Sequence, residues 1–308
     1  MSPSSTNLKI NEAVHPFLRF GRSFYWSPAA VLLALLVLLV CLSSCASTTQ
    51  APIGHQAQTP NEALLNDIWS ATHTDQLFDS LPLKMPIEEM INDRFKDADL
   101  DYQNKIQRLL DRNLQPKRLQ KMLQSQLLLR FQSSKASEVL KFYQTSLGKL
   151  YGEAGHRFDP EDPQFKIFVQ GPKPTKKRLA YMAKLLTASG STKFASITLI
   201  TPIETIFQEL EHQKQLAGQT PHKSSSSDLR KSMRSVVKAM HKGMLLTASF
   251  AYRDFSEAQL KELVAFETSS TSKWYNTALL DSYERTLQVA TRRFTKQLLK
   301  LLQQTPPK

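Results

Sequence analysis

Residues 273–304 read KWYNTALLDSYERTLQVATRRFTKQLLKLLQQ, and this stretch decides the fold class. Its apolar residues recur every three to four positions: Leu280, Tyr283, Leu287, Ala290, Phe294, Leu298 and Leu301. Side chains at this spacing share one face of an α-helix. The stretch therefore predicts one long helix that closes the chain.

The composition extends this prediction to the rest of the chain. Leu, Gln, Lys, Ala and Glu dominate the sequence, and these residues favour helix. With 41% hydrophobic residues, the chain has enough apolar side chains to bury a core, unlike a disordered chain. We therefore expect an all-α protein.

Segments that recur in the same order indicate two tandem copies of one helical unit. The matched pairs are residues 63–77 with 180–194, 86–88 with 202–204, and 131–154 with 255–278. The last match pairs Phe142 with Phe266 and Tyr151 with Tyr275. Residues 217–228 of the second copy are polar and rich in serine, which is typical of a surface-loop insertion.

Local patterns predict some helix limits. Thr201-Pro202-Ile203-Glu204 has the form of a capping box and predicts a helix start. One continuous helical face is predicted for Val139, Tyr143, Leu147 and Leu150. Because prolines crowd the segment from Gly155 to Lys177, we expect an irregular link in which residues 165–169 lie extended.

The N-terminus has the pattern of a secretion signal. Arg19 and Arg22 precede an apolar run of 14 residues from Ala29 to Leu42. This run fits a signal peptide and is shorter than the about 20 residues that span a membrane. An uncleaved signal anchor is the alternative, because the segment before the run is long.

Leu42-Ser43-Ser44-Cys45 resembles the bacterial lipobox, an aliphatic residue and two small residues before a cysteine. This resemblance implies cleavage between Ser44 and Cys45, and lipidation of Cys45 by chains such as palmitate. Two or three acyl chains anchor a protein stably, whereas one is marginal. Ala46 after the cysteine implies sorting to the outer membrane, with the protein facing the periplasm.

These patterns together predict five segments. They are a signal peptide (1–44), the lipidated Cys45 with a flexible tether (45–61), helical unit 1 (62–155), a proline-containing linker (156–177), and helical unit 2 with its long C-terminal helix (178–308). No cysteine follows Cys45, which excludes a disulfide or a cysteine-based zinc site in the exported part.

The formal charge is +13, and it is +11 without residues 1–44. A basic surface attracts phosphates, anionic lipid or nucleic acid, and export argues against nucleic acid. Besides the membrane that holds the anchor, the expected partners are therefore anionic lipid or an envelope protein.

Ser137 to Lys149 resembles the signature of a bacterial family known as domain of unknown function 2059. The typical motif is Phe-Tyr-x-Thr/Ser-Pro-x-Gly followed by Lys, and the matching residues are Phe142, Tyr143, Thr145, Gly148 and Lys149. Ser146 replaces the proline. The second copy departs further, with Glu267 for the tyrosine and Ser272 for the glycine. The resemblance implies an exported helical bundle and no catalytic residues.

Three patterns could carry chemistry, and each has an ordinary alternative. Glu209 and His212 have the Glu-x-x-His spacing of di-iron bundles, but a solvated helix face is favoured. The acidic run from Asp97 to Asp101 begins like a calcium loop, but it lacks the later ligands, and a helix start is favoured. His73-Thr74-Asp75 could pair acid and base, but a turn between helices is favoured. We therefore predict no catalytic residue, metal or cofactor.

Clusters of basic residues could contact lipid phosphates, although a solvated surface is the simpler interpretation. They are Lys176-Lys177-Arg178; Arg230, Lys231, Arg234, Lys238 and Lys242; and Arg292, Arg293 and Lys296. Aromatic residues are expected to pack between helices: Trp69, Phe142, Tyr143, Trp274 and Tyr275.

The functional expectation is a non-enzymatic binding or scaffold lipoprotein of the envelope, with its ligand-binding residues unknown. Two alternatives remain open. A lipid-binding or hydrophobic-ligand module would show a large apolar cavity, and an enzyme would show polar side chains that converge in a pocket.

Overall fold

A computed structural model describes residues 58–80, 84–156, 162–216 and 241–304. The predicted signal peptide, Cys45, most of the tether and the insertion at 217–228 lie outside the described residues. So do four members of the predicted basic clusters, Arg230, Lys231, Arg234 and Lys238. Within the described ranges every regular element is a helix, which confirms the all-α prediction.

The helices follow one another with short connections. In chain order they are α1 (Pro60–Thr72), α2 (Leu77–Ser80), α3 (Met85–Phe95), α4 (Leu100–Asn113), α5 (Pro116–Leu128), α6 (Ser133–Gln144), α7 (Ser146–His156), α8 (Pro163–Gln170), α9 (Lys176–Ala188), α10 (Ser191–Leu216), α11 (described over 241–251), α12 (Glu257–Glu267) and α13 (Ser270–Gln304). None of these described helices has both the length and the apolar character needed to cross a bilayer.

Helix α13 is the predicted long closing helix, and it passes through the centre of the fold. It packs against α4, α5, α6 and α10. Leu287 and Phe294 of its predicted apolar face are fully buried, as is Tyr283. The Tyr283 hydroxyl lies 2.9 Å from the Thr198 hydroxyl of α10. The main core contains residues from both predicted units, so the two units share one interior.

Short polar side chains set several helix starts. Thr59 and Glu62 form a capping box at α1. The Asp99 carboxylate accepts a hydrogen bond from the Tyr102 amide at 2.8 Å and caps α4, as expected for an acidic helix start. His73 ends α1 in a left-handed conformation with φ 54°, and a 3-10 turn follows, so this motif forms the expected turn.

The helix start predicted at Thr201 is wrong. Helix α10 runs from Ser191 to Leu216 with Pro202 in its interior. An interior proline loses one backbone hydrogen bond and costs about 3 kcal/mol. Leu199 and Ile203 on either side of it are both buried, and continuing the helix keeps both in the core. Burial of these side chains in the core therefore outweighs the local preference for a new helix to start at Thr201.

Two other local predictions need correction. Residues 163–170 form helix α8 rather than an extended segment, because Pro163 takes the first helical position and the Asp162 side chain caps the Gln164 amide. The continuous face predicted for Val139 to Leu150 is interrupted at Thr145, where α6 ends and α7 begins. Leu150 consequently remains 46% exposed.

The helix junctions at Thr145 and Ser269, 124 positions apart, share one pattern of backbone hydrogen bonds. The Thr145 amide donates to the Phe142 carbonyl at 3.0 Å, and the Ser269 amide donates to the Phe266 carbonyl at 2.9 Å. The Thr145 hydroxyl accepts a hydrogen bond from the Gly148 amide at 3.0 Å. Ser269 does the same for the Ser272 amide at 3.1 Å. Between the junctions, the paired residues Phe142 and Phe266 stack with ring centroids 3.5 Å apart. The two predicted copies thus meet through equivalent side chains.

Candidate anion-binding groove

A cleft of about 490 Å³ with a strongly basic lining lies between α5 and α13. Its cationic lining consists of Lys117, Arg118, Lys121, Arg285 and Arg293. Among the described residues, the lining contains no Asp or Glu. The remaining walls are amides, hydroxyls and the apolar side chains of Met122 and Val289. The arrangement therefore presents five positive charges to one small volume.

The two helices that form this groove are held by the core beneath it. Leu119, Leu123 and Leu127 of α5 are buried, as are Leu287 and Phe294 of α13. Arg285, Val289 and Arg293 follow one another at four-residue spacing, so they share one face of α13. Pro116 starts α5 beside the groove, and the positive end of the helix dipole adds to the field there.

Carboxylates neutralise many other cations of the described residues. Lys84 lies 2.5 Å from Asp111, Lys105 lies 2.6 Å from Asp101, and Arg130 lies 2.8 Å from Asp281. Within the described ranges, the five groove cations form no such ion pair. Unpaired charges this close repel one another, so an anion in the groove would relieve that repulsion.

The described members of the basic clusters predicted from sequence lie in different surroundings. Lys177 pairs with Glu257, and Arg178 donates to the backbone carbonyls of Tyr252 and Phe255. Arg292 and Lys296 approach the buried Glu209 carboxylate at 3.6 and 3.7 Å. Lys242 is exposed and lies away from the groove lining. Of the predicted cluster residues that the structure describes, Arg293 is the one that lines the groove.

Four groove cations did not belong to any cluster predicted from sequence: Lys117, Arg118, Lys121 and Arg285. The sequence nevertheless contains a pattern that could have identified these four residues, namely two long stretches without acidic residues. No acidic residue occurs between Asp111 and Glu138, and none follows Glu284. Each acid-free stretch supplies one wall of the groove. Only the packing of α5 against α13 brings the two stretches together.

A second cleft, of about 500 Å³, has mixed charge. Its lining includes Lys149 and His73 together with the carboxylates of Asp67 and Glu153 and the ring of Tyr143. Because the acidic and basic groups there offset one another, this cleft lacks the excess positive charge of the groove. It is the weaker candidate for an anionic ligand.

A buried carboxylate lies near this second cleft, at the Ser269 junction. Glu267 is 2% exposed and accepts hydrogen bonds from Tyr151 at 2.8 Å, and from Ser272 and Asn276 at 2.7 Å each. Burial, and then the Glu267 charge, raise the pKa of Tyr143, Tyr151 and Tyr252. Burial raises the pKa of Tyr275 to about 12.

The other candidates for chemistry take structural roles. Glu209 is buried against Arg292 and Lys296, so the solvated face favoured from sequence is wrong for Glu209, whereas His212 is exposed. Asp101 pairs with Lys105, which lowers the pKa of its carboxyl. The described ranges hold no group of three metal-ligating side chains. Trp69 and Tyr275 are buried in the core, and Trp274 packs edge-on against Phe131.

No protein-family model, no curated protein and no solved structure matches this chain.

Proposed function

We propose that this protein is a lipid-anchored binding protein of the bacterial envelope, and that it acts without catalysis. Its basic groove between α5 and α13 binds an anionic partner. Cys45 carries the lipid, the tether lets the helical body stand away from the membrane, and the protein faces the periplasm from the outer membrane. The basis for the anchor is the sequence Leu42-Ser43-Ser44-Cys45 after a short apolar run.

One observation carries the binding part of this proposal. Five cations from two helices line one groove, and none of them pairs with a carboxylate in the described part of the chain. A surface whose charges served only for solubility would mix both signs, as the second cleft does. Concentrated charge of one sign on a rigid frame favours binding of the opposite charge.

Photo-crosslinking in living cells tests the binding role. A photoreactive residue replaces Ser125 in the groove, and the matched control replaces Ser137 on α6. Both serine hydroxyls donate to the carbonyl four residues earlier at 2.9 Å, so the local cost of each replacement is similar. We expect a discrete adduct from position 125 that disappears when Arg285 and Arg293 become Gln. Equal adducts from both positions would contradict the proposal.

Metabolic labelling with a palmitate analogue tests the anchor. We expect label on the wild-type chain and none on Cys45→Ala, which should also leave the membrane fraction. Label that persists on Cys45→Ala would place the lipid elsewhere.

A further inference from the structure

We propose that the ligand of the groove is the headgroup of an anionic lipid that carries at least two phosphate groups. This inference rests on the proposed function, because it names the ligand of the same groove.

The number of charges favours a ligand with several negative charges. A single carboxylate from an acidic partner neutralises one cation and would leave four of the five unpaired. Two phosphate groups place at least two negative charges and several acceptor oxygens within a few ångströms of each other. Such a ligand can contact both walls at the same time, with Arg118 on α5 and Arg285 and Arg293 on α13.

The kind of cation favours phosphate. Three of the five are arginines, whose planar guanidinium groups donate paired hydrogen bonds that match phosphate oxygens. Lys117 and Lys121 add point charges on the α5 side. Arg118 is half-buried and its guanidinium lies 3.5 Å from the Arg112 carbonyl, so its side chain is partly oriented before a ligand arrives.

The shape of the groove favours a lipid over free phosphate. Its volume of about 490 Å³ falls in the range of small-molecule sites and exceeds what a free phosphate or pyrophosphate needs. Met122 and Val289 supply apolar surface beside the cations. This surface suits the glycerol and the first methylenes of a lipid, which inorganic phosphates lack.

Native mass spectrometry of the full chain, purified in detergent, measures ligand binding to the groove directly. The probes are cardiolipin with two phosphates, phosphatidylglycerol with one, sodium pyrophosphate, and a polyglutamate peptide. The variant Arg285→Gln/Arg293→Gln removes two groove cations. The matched control Lys141→Gln/Lys300→Gln removes two exposed cations outside the groove. Lys117→Gln/Lys121→Gln probes the other wall, and far-ultraviolet circular dichroism checks that each variant is folded.

We expect cardiolipin to bind tighter than phosphatidylglycerol and pyrophosphate. Either groove variant should weaken cardiolipin binding by about tenfold or more, because charge-assisted hydrogen bonds to the phosphates are lost. The control variant should weaken cardiolipin binding by less than about twofold. Pyrophosphate binding equal to that of cardiolipin would overturn the lipid assignment. Groove-dependent binding of polyglutamate without cardiolipin would overturn this inference and leave the proposed function intact. If no probe binds in a groove-dependent way, both fail.

Discussion

The helix junctions at Thr145 and Ser269 share one hydrogen-bond pattern but lead to differently packed helix pairs. At Thr145, helix α7 folds back and packs along α6, whereas at Ser269 the helices α12 and α13 touch mainly where they meet. Both junctions use a hydroxyl to cap the third residue of the next helix. The capping interaction alone therefore does not decide the direction of the second helix.

The residue at that third position accounts for the difference. A Cβ on Gly148 would lie 2.0 Å from the Phe142 carbonyl oxygen, so only glycine permits the close pairing of α6 and α7. Ser272 stands at the matched position, and its hydroxyl donates to Glu267, which stands where the first predicted copy has Tyr143. The Thr145 junction thus has a close backbone contact where the Ser269 junction has a buried polar network.

The largest expected effect is that of Gly148→Ala. The added methyl group overlaps backbone atoms that cannot move without separating α6 from α7, and we expect a loss of at least about 3 kcal/mol of unfolding free energy. Gly155→Ala on the same helix is the control, because its Cβ would meet only the Tyr252 hydroxyl at 3.5 Å. Urea unfolding measures both. Similar losses for the two variants would refute the role of the close contact.

At the other junction, Glu267→Ala should cost about 2–3 kcal/mol, since it leaves the buried hydroxyls of Tyr151 and Ser272 without their acceptor and removes one hydrogen bond from Asn276. Glu267→Gln keeps an acceptor and should cost less. The control is Glu262→Ala, an exposed carboxylate of the same helix, for which about 0.5 kcal/mol or less is expected. A Glu267→Ala variant as stable as the control would mean that the network contributes nothing.

The tyrosines around Glu267 predict a dependence on alkaline pH. Their pKa is raised on folding, so the stability they contribute is complete below the unfolded value near 10 and is lost as the pH rises above it. Between pH 10 and about 12 we expect each such tyrosine to lose about 1.4 kcal/mol of its contribution per pH unit. Unfolding followed at each pH measures this. Tyr151→Phe should lower the slope, and parallel curves for both proteins would contradict the prediction.

The smallest effects concern the caps. Thr145→Ala and Ser269→Ala should each cost about 1 kcal/mol, because each removes the acceptor for one helix N-terminal amide. Equal costs would support equivalent junctions, and Ser256→Ala at the start of α12 provides a reference cap. A large loss of stability at one junction and none at the other would show that the two capping interactions are not equivalent. Thermal unfolding of the two single variants and of the double variant measures it.

Sequence reasoning succeeded where short-range physics controls the outcome. The apolar spacing from Leu280 to Phe294 predicted both the helix and its buried face. Asp99 and His73 occupy the expected helix start and turn. The error at Pro202 arose because a local start signal was weighed without the core that the helix packs against. The error at residues 163–170 arose because the local start signal of Asp162 and Pro163 was overlooked among the neighbouring prolines.

The sequence by itself determined the helical class, the long C-terminal helix, the start of α4 and the turn after α1, since these depend on side-chain periodicity and caps within a few residues. Only the tertiary structure decided the groove. Arg118 and Arg285 are far apart in the chain, and they line one cleft because the apolar faces of α5 and α13 bury each other. Burial is a property of both helices at once, so neither acid-free stretch alone specifies the site.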